Sequence, residues 1–321
     1  MNEILKVKKL FVEFKNTKGT VHAVNDLTFH LNRRETLGIS GESGCGKTVT
    51  CRAILRLNRG DEARGKILFD GQDILKLSEH EMQKIRGSRI SMIFQNPASS
   101  LNPVVKIGTQ MVEVIRYHHH ISKQEAKDIA IALLTDMGIP SPVQKLDEYP
   151  HEQSGGTNQR IMIAMALSCN PDILIADEPT ASLDATVQNQ VLQILRQLKK
   201  ERDMGIIFVT HNLGLIHGIA DKVLIMYLGM LMEEGYTGEI FANPLHPYTK
   251  VLLSSVLLYG AHKSVLKGEP PSASIFIEGC PFASRCPEII GNVCLDILPP
   301  VININDKHSA RCHLYNKIKK Q

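Results

Sequence analysis

The 321-residue chain contains no tryptophan, and aromatic residues make up only 5% of it. Any site that needs a flat apolar ring must therefore draw on phenylalanine or tyrosine. No apolar run reaches the roughly 18 to 20 residues that a helix needs to cross a bilayer. The opening residues, Met1-Asn2-Glu3-Ile4-Leu5-Lys6, lack a basic segment followed by an apolar core, so no secretory signal is expected and the expected compartment is the cytoplasm. A net charge of +4, with lysines and arginines interspersed among acids, makes no single-signed stripe, and nucleic acid is not an expected partner. Structural disulfides are disfavoured in a reducing compartment. The seven cysteines therefore need another reason to be there.

What the chain does have is Gly41-Glu42-Ser43-Gly44-Cys45-Gly46-Lys47-Thr48, a complete G-x-x-x-x-G-K-[ST] loop. It follows the short apolar run Thr36-Leu37-Gly38-Ile39-Ser40, which reads as a buried parallel strand, and it precedes a segment of helical spacing, residues 47–57. Glycines let successive backbone N–H groups turn toward one point, and the helix behind them aims its positive dipole end there. The pattern points to a nucleoside triphosphate, with Lys47 reaching the β- and γ-phosphates and the Thr48 hydroxyl ligating Mg2+. Cys45 occupies a variable position of this loop and reads as a small residue that fits.

Alternating apolar and polar residues over 5–14 and 24–31, joined by a polar stretch, predict an antiparallel β-subdomain. Residues 65–71 and 90–94 read as further strands. A mostly helical insert follows, about residues 100–168. In it, Ser122-Lys123-Gln124-Glu125 is a capping box for a helix whose residues Ile129, Ala130, Leu133, Leu134 and Met137 are expected in the core, ending at Gly138. Strand and helix then alternate again. Ile173-Leu174-Ile175-Ala176 is apolar throughout, as in a parallel strand covered on both faces, and it ends in Asp177-Glu178. A carboxylate at such a strand end holds Mg2+ in phosphate-loop enzymes, a role that suits Asp177. Glu178 is then placed to orient or deprotonate the attacking water.

Four further pieces complete a resemblance to the ATP-binding subunits of ABC transporters, over residues 5–257. Gln95 looks like the glutamine loop that touches Mg2+ and the attacking water. Ser154-Gly155-Gly156 looks like the family signature, Ser182-Leu183-Asp184 like the D-loop, and His211 like the switch histidine at the γ-phosphate. The resemblance implies an α/β phosphate-loop ATPase with an antiparallel β-subdomain and a helical subdomain. It also implies that the signature caps ATP held by an opposing subunit, so that nucleotide becomes part of an interface. Phe14 matches the position that stacks on adenine, with Phe11 or a plain core role as the alternatives. The residues flanking the signature, Gln153, Thr157 and Asn158, depart from the usual pattern. They either weaken the site completed on the partner or are neutral changes at solvent-facing positions.

Residues 92–103, the segment His246-Pro247-Tyr248-Thr249 and the cysteine-bearing tail resemble the dipeptide and oligopeptide importer group, which also includes nickel and glutathione importers. That likeness implies ATP hydrolysis coupled to peptide uptake at the cytoplasmic face of the cell membrane. The implied partners are a second ATPase subunit, expected to be a different chain, two integral membrane permeases and an extracytoplasmic solute-binding protein. The alternatives are import of nickel or another small solute, or a soluble ATPase of this type acting on nucleic acid or ribosomes. The chain has one ATP module and no sustained heptads, which disfavours the last. Residues 1–260 are expected to form the ATP-binding domain and residues 261–321 a Cys-rich extension. There Cys280, Cys286, Cys294 and Cys312 are spaced irregularly, without the paired spacing usual for zinc, which suits an iron–sulfur cluster, and the resemblance to the importer group implies a 4Fe–4S cluster, with zinc or free thiols as alternatives. His308 and His313 are weaker candidate ligands, and His118-His119-His120 reads as an exposed polar patch.

Overall fold

A computed structural model of the chain describes residues 3–17, 19–58, 61–96, 100–181, 183–254, 268–272, 274 and 277–316. It divides into two compact units, one of Met1–Asn32, Thr36–Leu75 and Val209–Gln321, the other of Arg33–Glu35 and Lys76–Phe208.

The first unit opens with the long antiparallel pair Glu3–Asn16 and Gly19–Asn32, in which Val7, Leu10, Val12, Val24, Leu27, Phe29 and Leu31 are buried. Asp61–Phe69 pairs antiparallel on the other side of the first strand, and Gln72–Asp73 closes this four-stranded sheet. This is the expected β-subdomain. A second sheet section runs through the unit. Thr36–Ser40, buried along its whole length, lies parallel to Lys222–Tyr227, which pairs antiparallel with Met230–Tyr236. His308–Arg311 and Val301–Asn305 extend that section antiparallel. The tail has few apolar residues for a core of its own, and it solves this by adding a hairpin to an existing sheet. The backbone groups of His308–Arg311 are satisfied by neighbours on both sides, so four largely polar residues can be buried. The expected boundary at 260 and 261 lies outside the described residues.

The second unit carries the strands Gly205–Val209, Ile173–Asp177 and Ile90–Ile93 in that order, the last two parallel and all three buried. Around them run Ile107–His119, Lys123–Asp136, Gly155–Leu167 and Ala185–Glu201. The capping box at Ser122 is present in both directions, Ser122 accepting from the Glu125 amide and Glu125 from the Ser122 amide. Gly138 follows the helix at φ +64°. Ala130, Leu133, Leu134 and Met137 are buried as expected, but Ile129 is 36% exposed. Helical spacing marks a stripe, and Ile129 lies at the edge of this one. Among the described residues no helix is long and apolar enough to cross a membrane.

Candidate functional site

In the first unit the buried strand Thr36–Ser40 delivers the chain into residues 41–48. Two glycines there are dictated by backbone approach. A Cβ on Gly41 would stand 2.1 Å from the Met226 carbonyl oxygen, and one on Gly46, at φ +100°, 2.3 Å from that of Ala23. Gly46 caps the helix Lys47–Ile54 without a side chain. The amides at the helix start and its dipole suit an anion. Lys47 is 6% exposed. Its Nζ donates to the carbonyls of Gly41 at 2.8 Å and Glu42 at 2.9 Å, and lies 3.6 Å from Cys45 Sγ. These partners are neutral, and a buried ammonium among them fits a phosphate counter-charge. Burial pushes the Cys45 thiol up although Lys47 opposes it, so this cysteine is an inert packing residue. Ser43 and Gly44 are exposed, and Phe14 is half-buried on its hairpin strand opposite Val21. His211 is exposed just beyond Gly205–Val209.

In the second unit Asp177 is 1% exposed at the end of its strand. Glu178 follows with φ +47°, a left-handed backbone that a non-glycine residue adopts at some cost. The Gln95 Nε2 donates to Glu178 Oε2 at 3.0 Å. Both leave the carboxyl ends of adjacent parallel strands, the place where open α/β sheets bind ligands. Ser154 is the N-cap of Gly155–Leu167, accepting from the Thr157 amide at 3.2 Å, and its hydroxyl lies 2.9 Å from Thr157 Oγ1. Gly156 has no room for a larger residue, since a Cβ would meet Val187 at 2.9 Å, whereas Gly155 is open. Asp184 caps Ala185–Glu201 by accepting from the Thr186 and Val187 amides.

The signature's flanking residues are not all solvent-facing. Asn158 is buried and donates to the Pro150 carbonyl at 2.8 Å, and Gln153 donates to Glu148. Ser182 and residues 97–99 lie outside the described residues.

Cys280, Cys294 and Cys312 are buried and Cys286 is half-buried, all four as free thiols. Burial, and then the neighbouring Cys312, Cys286 and Cys294, push Cys280 up to about 12. Among the described residues no group of three or more His, Cys, Asp or Glu side chains is assembled to hold a metal ion, so neither the expected cluster nor a zinc site is preassembled there. His308 Nε2 is bonded to buried Glu233 at 2.7 Å and His313 Nε2 to the Ile297 carbonyl at 2.7 Å, so those nitrogens serve the fold.

Two residues at the loop were not legible as such. Tyr248, fully buried, accepts from the Glu42 amide at 2.8 Å, and Arg285 forks onto the Glu42 carboxylate. Tyr248 stands in a segment that the sequence marks only as a likeness to one importer group, and nothing local marks Arg285.

A family model described as ABC transporter matches residues 24–181, and one described as the C-terminal region of oligopeptide/dipeptide transporters matches residues 232–294. The chain is 44% identical over 323 residues to a dipeptide transport ATP-binding protein of Bacillus subtilis (strain 168), covering 99% of this chain and 96% of the relative. It is 45% identical over 300 residues to an oligopeptide transport ATP-binding protein of Escherichia coli (strain K12), covering 92% and 89%. The solved structure of cbiO1 from Clostridium perfringens, part of an ABC transporter complex, superposes with a TM-score of 0.64 at 28% identity, covering 80% of this chain and 96% of that one. Identity at this level along the whole chain, on a fold that delivers the phosphate loop and the acidic strand end from buried strands, establishes that the chain belongs to the ABC transporter ATP-binding proteins, in their oligopeptide and dipeptide branch.

Proposed function

We propose that this ATPase couples ATP binding and hydrolysis to uptake of di- or oligopeptides. It works at the cytoplasmic face of the membrane with two permeases, a solute-binding protein and a second, different ATPase chain. The full-length likeness to dipeptide and oligopeptide transport ATP-binding proteins supports the substrate class. In this reading Lys47 and the amides of residues 41–48 bind the phosphates, while Thr48, Gln95 and Asp177 would hold Mg2+, which offsets phosphate charge. Glu178 orients or deprotonates water, His211 contacts the γ-phosphate, Phe14 stacks on adenine, and Ser154, Gly155, Gly156 and Asp184 serve the opposing subunit's nucleotide. The four cysteines of the tail take a 4Fe–4S cluster, a reading supported by their irregular spacing, which suits a cluster better than one ion.

The observation that carries the hydrolytic role is the Gln95–Glu178 hydrogen bond, which aims the carboxylate from a strained backbone at a strand end. Glu178→Gln is expected to keep ATP binding and lower steady-state hydrolysis about a hundredfold or more, because only water activation is removed. Hydrolysis at the wild-type rate in the variant would end this assignment.

A further inference from the structure

Glu42 is an acid inside a loop built for anions. Every polar group it has is tied down. Its carbonyl accepts from Lys47 Nζ at 2.9 Å, its amide donates to the Tyr248 hydroxyl at 2.8 Å, and its carboxylate is taken by Arg285. The Arg285 contact is a fork, Nη1 to Oε2 at 2.5 Å and Nη2 to Oε1 at 3.0 Å, the geometry in which a guanidinium holds a carboxylate most firmly. The Arg285 side chain is 5% exposed and that of Glu42 23%, so solvent screens the pair little. Arg285 is itself braced. Nη1 donates to the Tyr227 hydroxyl at 3.1 Å, and the guanidinium carbon lies 5.8 Å from the centre of the Tyr227 ring. Tyr227, Tyr248 and Phe282 pack edge-on or tilted with centroids 4.9 to 5.4 Å apart, and Phe282 lies in the same turn as Cys280 and Arg285. The extension is thus anchored by an aromatic cluster to the loop 243 positions earlier in the chain.

A carboxylate left unpaired in this loop would repel the phosphates electrostatically and compete for the Lys47 ammonium. We propose that Arg285 is a positioning residue for ATP binding: it neutralises Glu42 and holds its carboxylate aside, so that Lys47 is left to the nucleotide. This deepens the reading of residues 41–48 as the nucleotide site and rests on it.

The test is calorimetric titration of the full-length chain with ATP. Arg285→Met keeps much of the apolar stem and removes the fork, and it is expected to raise the ATP Kd about tenfold. Adding Glu42→Gln to that variant removes the stranded charge and is expected to recover most of the lost affinity. A scaffold role for Arg285 would not produce that recovery. Arg285→Lys keeps the charge without the fork and is expected to fall between wild type and Arg285→Met. It carries the test, again with and without Glu42→Gln, if the methionine variant fails to fold. An Arg285 variant that binds ATP within twofold of wild type, or a loss that Glu42→Gln leaves in place, overturns the proposal. Lys47→Ala serves as the separate control, since undiminished ATP binding there would refute the nucleotide reading itself.

Discussion

The imidazole of His246 is 1% exposed, and burial holds its pKa down to about 4 from an ordinary 6.5, with nearby Glu233 opposing. Its Nδ1 accepts the Tyr248 amide at 3.0 Å, a bond that the neutral ring can make and the protonated ring cannot. The folded pKa lies below the unfolded one, so this neutral histidine's stability is fully present above about pH 6.5 and lost as pH falls toward 4. A difference of that size is on the order of 3 kcal/mol. Thermal unfolding followed from pH 7 to 4 should show the melting temperature falling across this window, and His246→Gln should flatten that part of the profile. An unchanged slope in the variant would mean that other groups carry the acid sensitivity. The pair Glu233 and His308 lies close by, and Glu233 also accepts the amides of Leu245 and His246, so one buried carboxylate ties the strand Met230–Tyr236 to both neighbouring segments.

At the level of elements, what begins and ends a helix was legible because it is local. Ser122 and Glu125 stand three residues apart, and their reciprocal bonds need nothing beyond that turn. A second capping box, Ser78 with Glu81, opens Glu79–Ile85 by the same logic. The phosphate loop is local in conformation but not in its confinement. Gly46 needs a positive φ, which the motif implies, and also the space taken by the Ala23 carbonyl, which it does not. Gly46→Ala is therefore expected to cost ~2 kcal/mol or more from the left-handed backbone alone. The clash with a carbonyl on a packed strand adds to that cost. Denaturant titration measures the loss, and an alanine variant of wild-type stability would show that the loop relaxes without strain. Ile129 marks where spacing fails, since a period of 3.6 residues gives a stripe's direction and leaves its width to the neighbours.

For the whole molecule, the tail poses the sharpest question. If Cys280, Cys286, Cys294 and Cys312 hold a 4Fe–4S cluster, protein purified without oxygen should be brown, with about four iron and four sulfide per chain by the cluster's own stoichiometry. Cys294→Ser should remove the colour. Colourless protein with one zinc per chain would decide for the other metal, and colourless protein with neither would leave the thiols as core residues. The sequence by itself determined the local geometry of the phosphate-loop and strand-end motifs, because a glycine-rich turn, a lysine at a helix start and acids at a strand end are set by backbone geometry that a few consecutive residues encode. Where apolar periods of two or 3.6 residues were plain, as at Glu3–Asn16 and Lys123–Asp136, it also distinguished strand from helix. Only the tertiary structure decided which of those residues meet. Gln95 reaches Glu178 across 83 positions because their strands are neighbours, and Arg285 reaches Glu42 across 243 because the extension packs into the same unit as the loop. Nor could spacing show that the cysteine tail continues an existing sheet, since His308–Arg311 is buried by its pairing partners rather than by its own apolar content. Contacts of this kind depend on the summed packing of distant segments, and no local pattern records that sum.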